Sequence, residues 1–133
     1  MKRYRTTLSQ SERLAKTLAK SLKGGEVIGL IGSLGAGKTT FTKQLGKAIG
    51  VGRNITSPTF TLEQIYPTTL INKATKQPVR LHHLDMYRVD SEQDAKHLGL
   101  EEFMGRPEAI TIIEWADNIP GLLPKQAILI EFI

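Results

Sequence analysis

Glu26-Val27-Ile28-Gly29-Leu30-Ile31-Gly32-Ser33-Leu34-Gly35-Ala36-Gly37-Lys38-Thr39 is the stretch whose reading decides the fold of this chain. Its last eight residues match G-x-x-x-x-G-K-[ST], a loop whose glycines let the backbone curl until successive N–H groups point inward at phosphate oxygens. The motif requires a strand before it and a helix behind it. Glu26 to Ile31 is a short apolar run that suits a strand buried on both faces. The residues from inside the loop to about Ile49, stopping before Gly50, suit a helix whose positive dipole end faces the bound anion. In that arrangement Lys38 neutralises the β and γ phosphates and the Thr39 hydroxyl coordinates Mg²⁺.

Working outward toward the N-terminus, Leu14, Leu18 and Leu22 recur at four-residue spacing with Ala15 and Ala19 beside them. Ser9, with Glu12 three residues on, has the spacing of a capping box, so a first helix is expected to run to Gly24-Gly25. Beyond Ser57-Pro58, the stretch Thr59 to Tyr66 alternates apolar with polar residues and reads as a strand with one wet face. Pro67 through Pro78 then reads as a hairpin loop, with Val79 to Leu84 as the returning strand. Ser91 to Phe103 is helical in pattern but interrupted at Gly99, which predicts two short helices. Ala109 to Ile113 is a buried strand, and Ala127 to Ile133 supplies the last one. Strands alternating with helices around such a loop predict an α/β three-layer P-loop sandwich, its sheet mostly parallel with an antiparallel hairpin insertion. No repeat, low-complexity tract or linker divides the chain, so residues 1–133 are expected to form a single domain.

Composition narrows the class. With 40% apolar and 23% charged residues the chain has the balance of a globular protein with a packed core. It contains no cysteine, which removes disulfides, thiolate metal sites and cysteine nucleophiles and fits a reducing compartment. No apolar run approaches the roughly 20 residues that span a bilayer. The basic start, Met1 to Arg5, leads into polar sequence without a signal peptide's apolar segment. A cytoplasmic protein with no membrane association is expected. Lys and Arg outnumber Asp and Glu by 18 to 13, a balance that favours polyanionic partners. Lys16, Lys20, Lys23, Lys43, Lys47 and Arg53 form no run, however, and read as a solvated surface.

A P-loop site needs an acid at the end of a neighbouring strand to hold Mg²⁺ or its waters. Asp85 and Glu114 both qualify. Glu114 follows a nearly all-apolar strand of Walker B type, whereas the run before Asp85 carries Arg80, His82 and His83 and makes a poor buried strand. The guanine-specifying N-K-x-D is absent, since Asn72-Lys73-Ala74-Thr75 lacks its Asp, so GTP is disfavoured. A small-molecule kinase would carry an arginine-bearing lid; no such Arg-rich segment is present, although Arg88 and Arg106 keep that alternative open. A nucleotide-binding module without hydrolysis is a third reading. Adjacent on a strand, His82 and His83 point to opposite faces and cannot ligate one metal, and they and His97 read as surface or core residues.

The flanking residues are more particular than a generic ATPase requires. Leu34-Gly35-Ala36-Gly37-Lys38-Thr39-Thr40-Phe41, Ser57-Pro58-Thr59-Phe60-Thr61-Leu62, His83-Leu84-Asp85-Met86-Tyr87-Arg88 and Ile113-Glu114-Trp115 resemble, in order and spacing, the four signature blocks of the TsaE (YjeE) family. The similarity runs from about Leu8 to the final strand. It implies a P-loop ATPase, weak alone, that works with the TsaD and TsaB proteins. These install threonylcarbamoyl on adenosine 37 of tRNAs reading codons that begin with A, and ATP hydrolysis resets the complex between turnovers. tRNA is then met through the complex, and neither DNA nor membrane is a partner. By the same resemblance, Leu34, Gly35, Ala36, Gly37, Lys38 and Thr39 form the phosphate cradle with Thr40 beside it. Thr39 is a Mg²⁺ ligand, Glu114 the metal-associated acid and Asp85 the other active-site acid. Thr59 lies in a switch-like turn near the γ-phosphate, Trp115 sits beside the site, and Leu8 borders the adenine. Lys38, Asp85 and Glu114 are the implied catalytic set. Ser33 departs from the family pattern, standing where many relatives carry an Asp, and removes a charge beside the cradle.

Overall fold

The computed structural model describes residues 1–33, 35–56, 58 and 63–133. β2 (Val27–Ile31), the strand before the glycine loop, is buried along nearly its whole length. It lies inside a six-stranded sheet with order β1-β6-β2-β5-β4-β3. Its neighbours are β5 (Ala109–Glu114) and β6 (Ile128–Phe132), both parallel to it. β1 (Lys2–Thr6) extends the sheet parallel to β6 at one edge. At the other, β4 (Pro78–Asp85) runs parallel to β5, and β3 (Glu63–Ile71) closes the sheet antiparallel to β4. Parallel neighbours are buried on both faces by the crossovers that join them, which is why β2 and β5 read as unbroken apolar runs.

Two helices cover one face. From α1 (Ser11–Ala19), Ala15 and Leu18 pack with Phe41 and Leu45 of α2 (Lys38–Ala48) over Ile28, Leu30, Ile110, Ile112 and Ile130. Phe41 meets Phe132 edge-to-face, with ring centroids 5.7 Å apart, a geometry worth about 0.5–1.5 kcal/mol beyond area burial. The other face buries Val27, Leu84 and Ile113 under a thinner layer. That layer is built from α3 (Glu92–Lys96) and the 3₁₀ turns Leu100–Glu102, Ala116–Asn118 and Pro120–Leu122. The mostly parallel three-layer α/β architecture is as expected. The break between α3 and the next turn falls at Gly99, also as expected. Lys16, Lys20, Lys23, Lys43, Lys47 and Arg53 are solvent-facing or nearly so.

Three expectations need correction, and one strand was not foreseen. The strand that was not foreseen is β1, at the basic N-terminus, which occupies an edge where charged side chains are tolerated and discourage further pairing. The capping box does not form. The first helix begins at Ser11 and ends at Ala19, the Ser9 hydroxyl meets Thr7 Oγ1 at 3.1 Å, and Ser11 Oγ donates to the Leu8 carbonyl at 2.9 Å. The hairpin loop is far shorter than Pro67 to Pro78. Pro67 lies within β3, an edge strand that tolerates proline, and Ile71 still pairs with Pro78 across an irregular ladder. Asn72 turns the chain there, its Oδ1 accepting from the backbone N–H of Ala74 and Thr75 at 2.9 and 3.0 Å. β4 is not a poor buried strand, since it is flanked on both sides and Leu81, His83 and Leu84 are fully buried. Residues 59–62 of the expected strand before Tyr66 lie outside the described residues.

Candidate functional site

The glycine loop, β4 and β5 meet at the C-terminal edge of the sheet. Leu30 at the end of β2 pairs with Glu114, and Glu114 pairs with Asp85, so two acids stand side by side next to the strand that feeds the loop. In open α/β sheets, this edge is where ligands bind. Gly37 ends the loop at φ +108°, and a Cβ built there would lie 2.7 Å from Cδ1 of Leu8. The left-handed backbone at this position favours glycine, and the exposed Leu8 side chain rests on the glycine loop.

Lys38 is the first residue of α2 and is almost wholly buried. Its Nζ donates to the carbonyls of Gly32 and Ser33 at 2.7 and 2.8 Å and stands 4.0 Å from the centroid of the Trp115 ring. Burial pushes its pKa down, while the Glu114, Asp117 and Asp85 carboxylates push the other way. One residue on, the Thr39 hydroxyl donates to both Glu114 oxygens at 3.0 Å. Asp85 has a raised pKa because burial disfavours its anion; the neighbouring Glu114 adds to the rise, and the Tyr87 N–H bonded to Oδ1 at 2.9 Å opposes it. Trp115 holds a left-handed backbone at φ 59°, and its ring lies 4.9 Å from that of Tyr87.

These side chains line a cleft of about 350 Å³. Of the residues singled out from the sequence, Leu8, Gly35, Gly37, Lys38, Thr39, Thr40, Asp85, Glu114 and Trp115 all border it. Ala36 does not: it packs against the core, with its N–H bonded to the Ser33 carbonyl at 3.1 Å. Leu34 and Thr59 lie outside the described residues. Arg88 lines the cleft, whereas Arg106 lines a separate hollow with Arg80 and His82.

Sequence reasoning missed His83. It is fully buried, and its Nε2 lies 2.6 Å from Glu114 Oε2. The signal was the two-residue step from His83 to Asp85, which puts both on one side of β4. The reading of the pair as opposed holds, for His82 faces the other side of the sheet and stacks on Phe103 at 4.2 Å.

Thr39, Glu114 and Asp85 offer only hard oxygen donors, the set that suits Mg²⁺. Among the described residues no group of three or more His, Cys, Asp or Glu side chains could hold a metal. No described helix is long and apolar enough to cross a membrane.

The family model described as threonylcarbamoyl adenosine biosynthesis protein TsaE matches residues 5–133. The chain belongs to the TsaE family. Relatives named tRNA threonylcarbamoyladenosine biosynthesis protein TsaE include one from Bacillus subtilis, 36% identical over 117 residues, which cover 88% of this chain and 67% of the relative. Another, from Treponema pallidum, is 34% identical over 119 residues, 90% of this chain and 81% of the relative. The crystal structure of Bacillus subtilis YdiB superposes with a TM-score of 0.66 at 32% identity, covering 90% of this chain and 67% of that one. The TsaE-family chain thus spans about two thirds of the length of its Bacillus relative.

Proposed function

We propose that this TsaE-family protein is a Mg²⁺-dependent ATPase serving threonylcarbamoyladenosine formation on tRNA. It acts as one P-loop domain in the cytoplasm, together with the TsaD and TsaB proteins, and meets tRNA through that complex. The observation that carries the reading is the contact of Thr39 with Glu114, a carboxylate that also acts on the neighbouring Lys38 ammonium. A lysine, a hydroxyl and a buried carboxylate converge at the N-terminus of α2, where backbone N–H groups and the helix dipole favour phosphate.

The roles follow from chemistry. Lys38 neutralises phosphate charge in a site that excludes much of the water, where such an interaction counts for more than in bulk solvent. Thr39 and Glu114 are the groups that would hold Mg²⁺, which supplies further charge neutralisation when bound. Asp85, beside Glu114 and bordering the cleft, is the acid we assign to orienting the attacking water. Leu8 offers apolar surface beside the loop for the base.

The reading is tested by the ATP hydrolysis rate of the purified chain with and without TsaD and TsaB from the same organism. A low basal rate raised by those proteins supports it. Full turnover alone with no response to them removes the partner-dependent role. A second reading, a small-molecule kinase, draws only on Arg88 at the cleft, and isolating a phosphorylated acceptor would establish it.

A further inference from the structure

His83 is a fully buried, titratable side chain that the reading above leaves without a task. It stands on β4 opposite Ile112 of β5, one diagonal step from Glu114, and both side chains point toward α2. Its Nε2 approaches Glu114 Oε2 at 2.6 Å, while Nδ1 meets no hydrogen-bond partner among the described residues. The two ring nitrogens are therefore unequal. A proton on Nε2 is used in a bond to the carboxylate, whereas a proton on Nδ1 would be buried and unpaired, so the neutral ring carries its hydrogen on Nε2.

Glu114 consequently has two donors. Oε2 receives His83 and shares the Thr39 hydroxyl, while Oε1 receives Thr39 alone. The short contact from His83 fixes the rotation of the carboxyl group about its last bond, and with it the oxygen that is least committed within the protein. We infer that His83 is the positioning residue for Glu114, holding the carboxylate so that Oε1 is presented for Mg²⁺ beside the Thr39 hydroxyl. This rests on the reading of Glu114 as the metal-associated acid. Partners of this kind, one bond removed from a ligand, alter metal affinity about 10–100-fold when replaced.

Trp115 is the sole tryptophan and lies against Lys38, so its fluorescence reports nucleotide binding without recourse to turnover. The experiment titrates ATP into the parent chain, His83→Leu and His83→Gln at stepped Mg²⁺ concentrations and with chelator. We expect His83→Leu to need about 10–100-fold more Mg²⁺ for the same ATP response, with binding in chelator unchanged. His83→Gln, whose amide N–H can donate in place of the imidazole, should fall within a few-fold of the parent. An unchanged Mg²⁺ requirement in His83→Leu overturns the inference, as does an equal loss with and without metal, or a loss in His83→Gln as large as in His83→Leu. If His83→Leu does not fold, the glutamine variant decides alone: a near-parental requirement supports the role and a requirement raised tenfold or more overturns it. A parent chain with no ATP-dependent change at any Mg²⁺ concentration would instead remove the reading of the site as a whole.

Discussion

Glu114 and Asp85 end adjacent parallel strands and face each other in register, yet one is held and the other is left free to respond. Glu114 is buried and takes hydrogen bonds from Thr39 and His83, side chains that come from two other elements. Asp85 is only half-buried and accepts from the backbone of Tyr87, two residues along its own chain. Glu114 meets its burial with two donors. Asp85 has only the backbone N–H of Tyr87, and its burial raises its pKa. A carboxylate with fixed orientation suits the holding of a cation; one whose anion is disfavoured is suited to accepting a proton or orienting water. The difference between two residues in equivalent strand positions thus comes from the side chains of neighbouring elements.

Lys38 is the cation that both acids act upon, so removing it is the hardest blow to the comparison. Lys38→Ala should lower ATP turnover by about a hundredfold or more, the scale seen when a preorganised charge-stabilising group is deleted, while the melting temperature stays close to that of the parent. The lysine's own burial is unfavourable, which is why little fold stability should go with it. Parental turnover in Lys38→Ala would sink the assignment of the phosphate site.

Glu114→Gln asks whether the held acid depends on its charge. The amide keeps an acceptor for His83 and can donate to Thr39, so no buried group is stranded. It does exchange charge-assisted hydrogen bonds for neutral ones, which costs about 1 kcal/mol. We expect a lower melting temperature together with a loss of Mg²⁺-dependent turnover. Thermal melts of the two proteins side by side check this, and a Glu114→Gln variant that melts above the parent would show that the carboxylate is not held as described.

How much of this was legible beforehand depends on how local the determinant is. β2, the glycine loop and α2 are written in one continuous stretch, and β5 declares itself by an unbroken apolar run, so these elements and the cleft they border could be read directly. β1 could not, because an edge strand has no need to be apolar and Lys2-Arg3-Tyr4-Arg5 carries no burial signal. Pro67 inside β3 misled for the same reason, since an edge strand can dispense with a donor. The Asp85 strand looked too polar because it carries Arg80, His82 and His83, whereas His83 is buried against Glu114 and His82 against Phe103. Both partners are far away in sequence, and only the pairing of β4 with β5 brings His83 to Glu114. The acids were visible; what makes them different was not.

Asp85→Asn gives the smallest effect and the one of opposite sign. The folded-state pKa of Asp85 is raised above the group's ordinary value of 3.8, so the folded chain binds this proton more tightly than the unfolded chain does. Ionising the group therefore costs stability. That cost is absent below pH 3.8, grows as the pH rises through the folded value, and is complete above it. Asparagine retains an acceptor for the Tyr87 N–H and has no charge to bury, so the variant should melt higher than the parent at neutral pH, with the difference closing on acidification. The Glu114→Gln variant should move in the other direction at neutral pH. Melting curves of parent and Asp85→Asn across an acid-to-neutral series decide the matter: a gap that stays constant with pH, or a variant less stable than the parent at neutral pH, would mean that the anion of Asp85 is as well supported as that of Glu114, and the contrast between the two strand ends would fall.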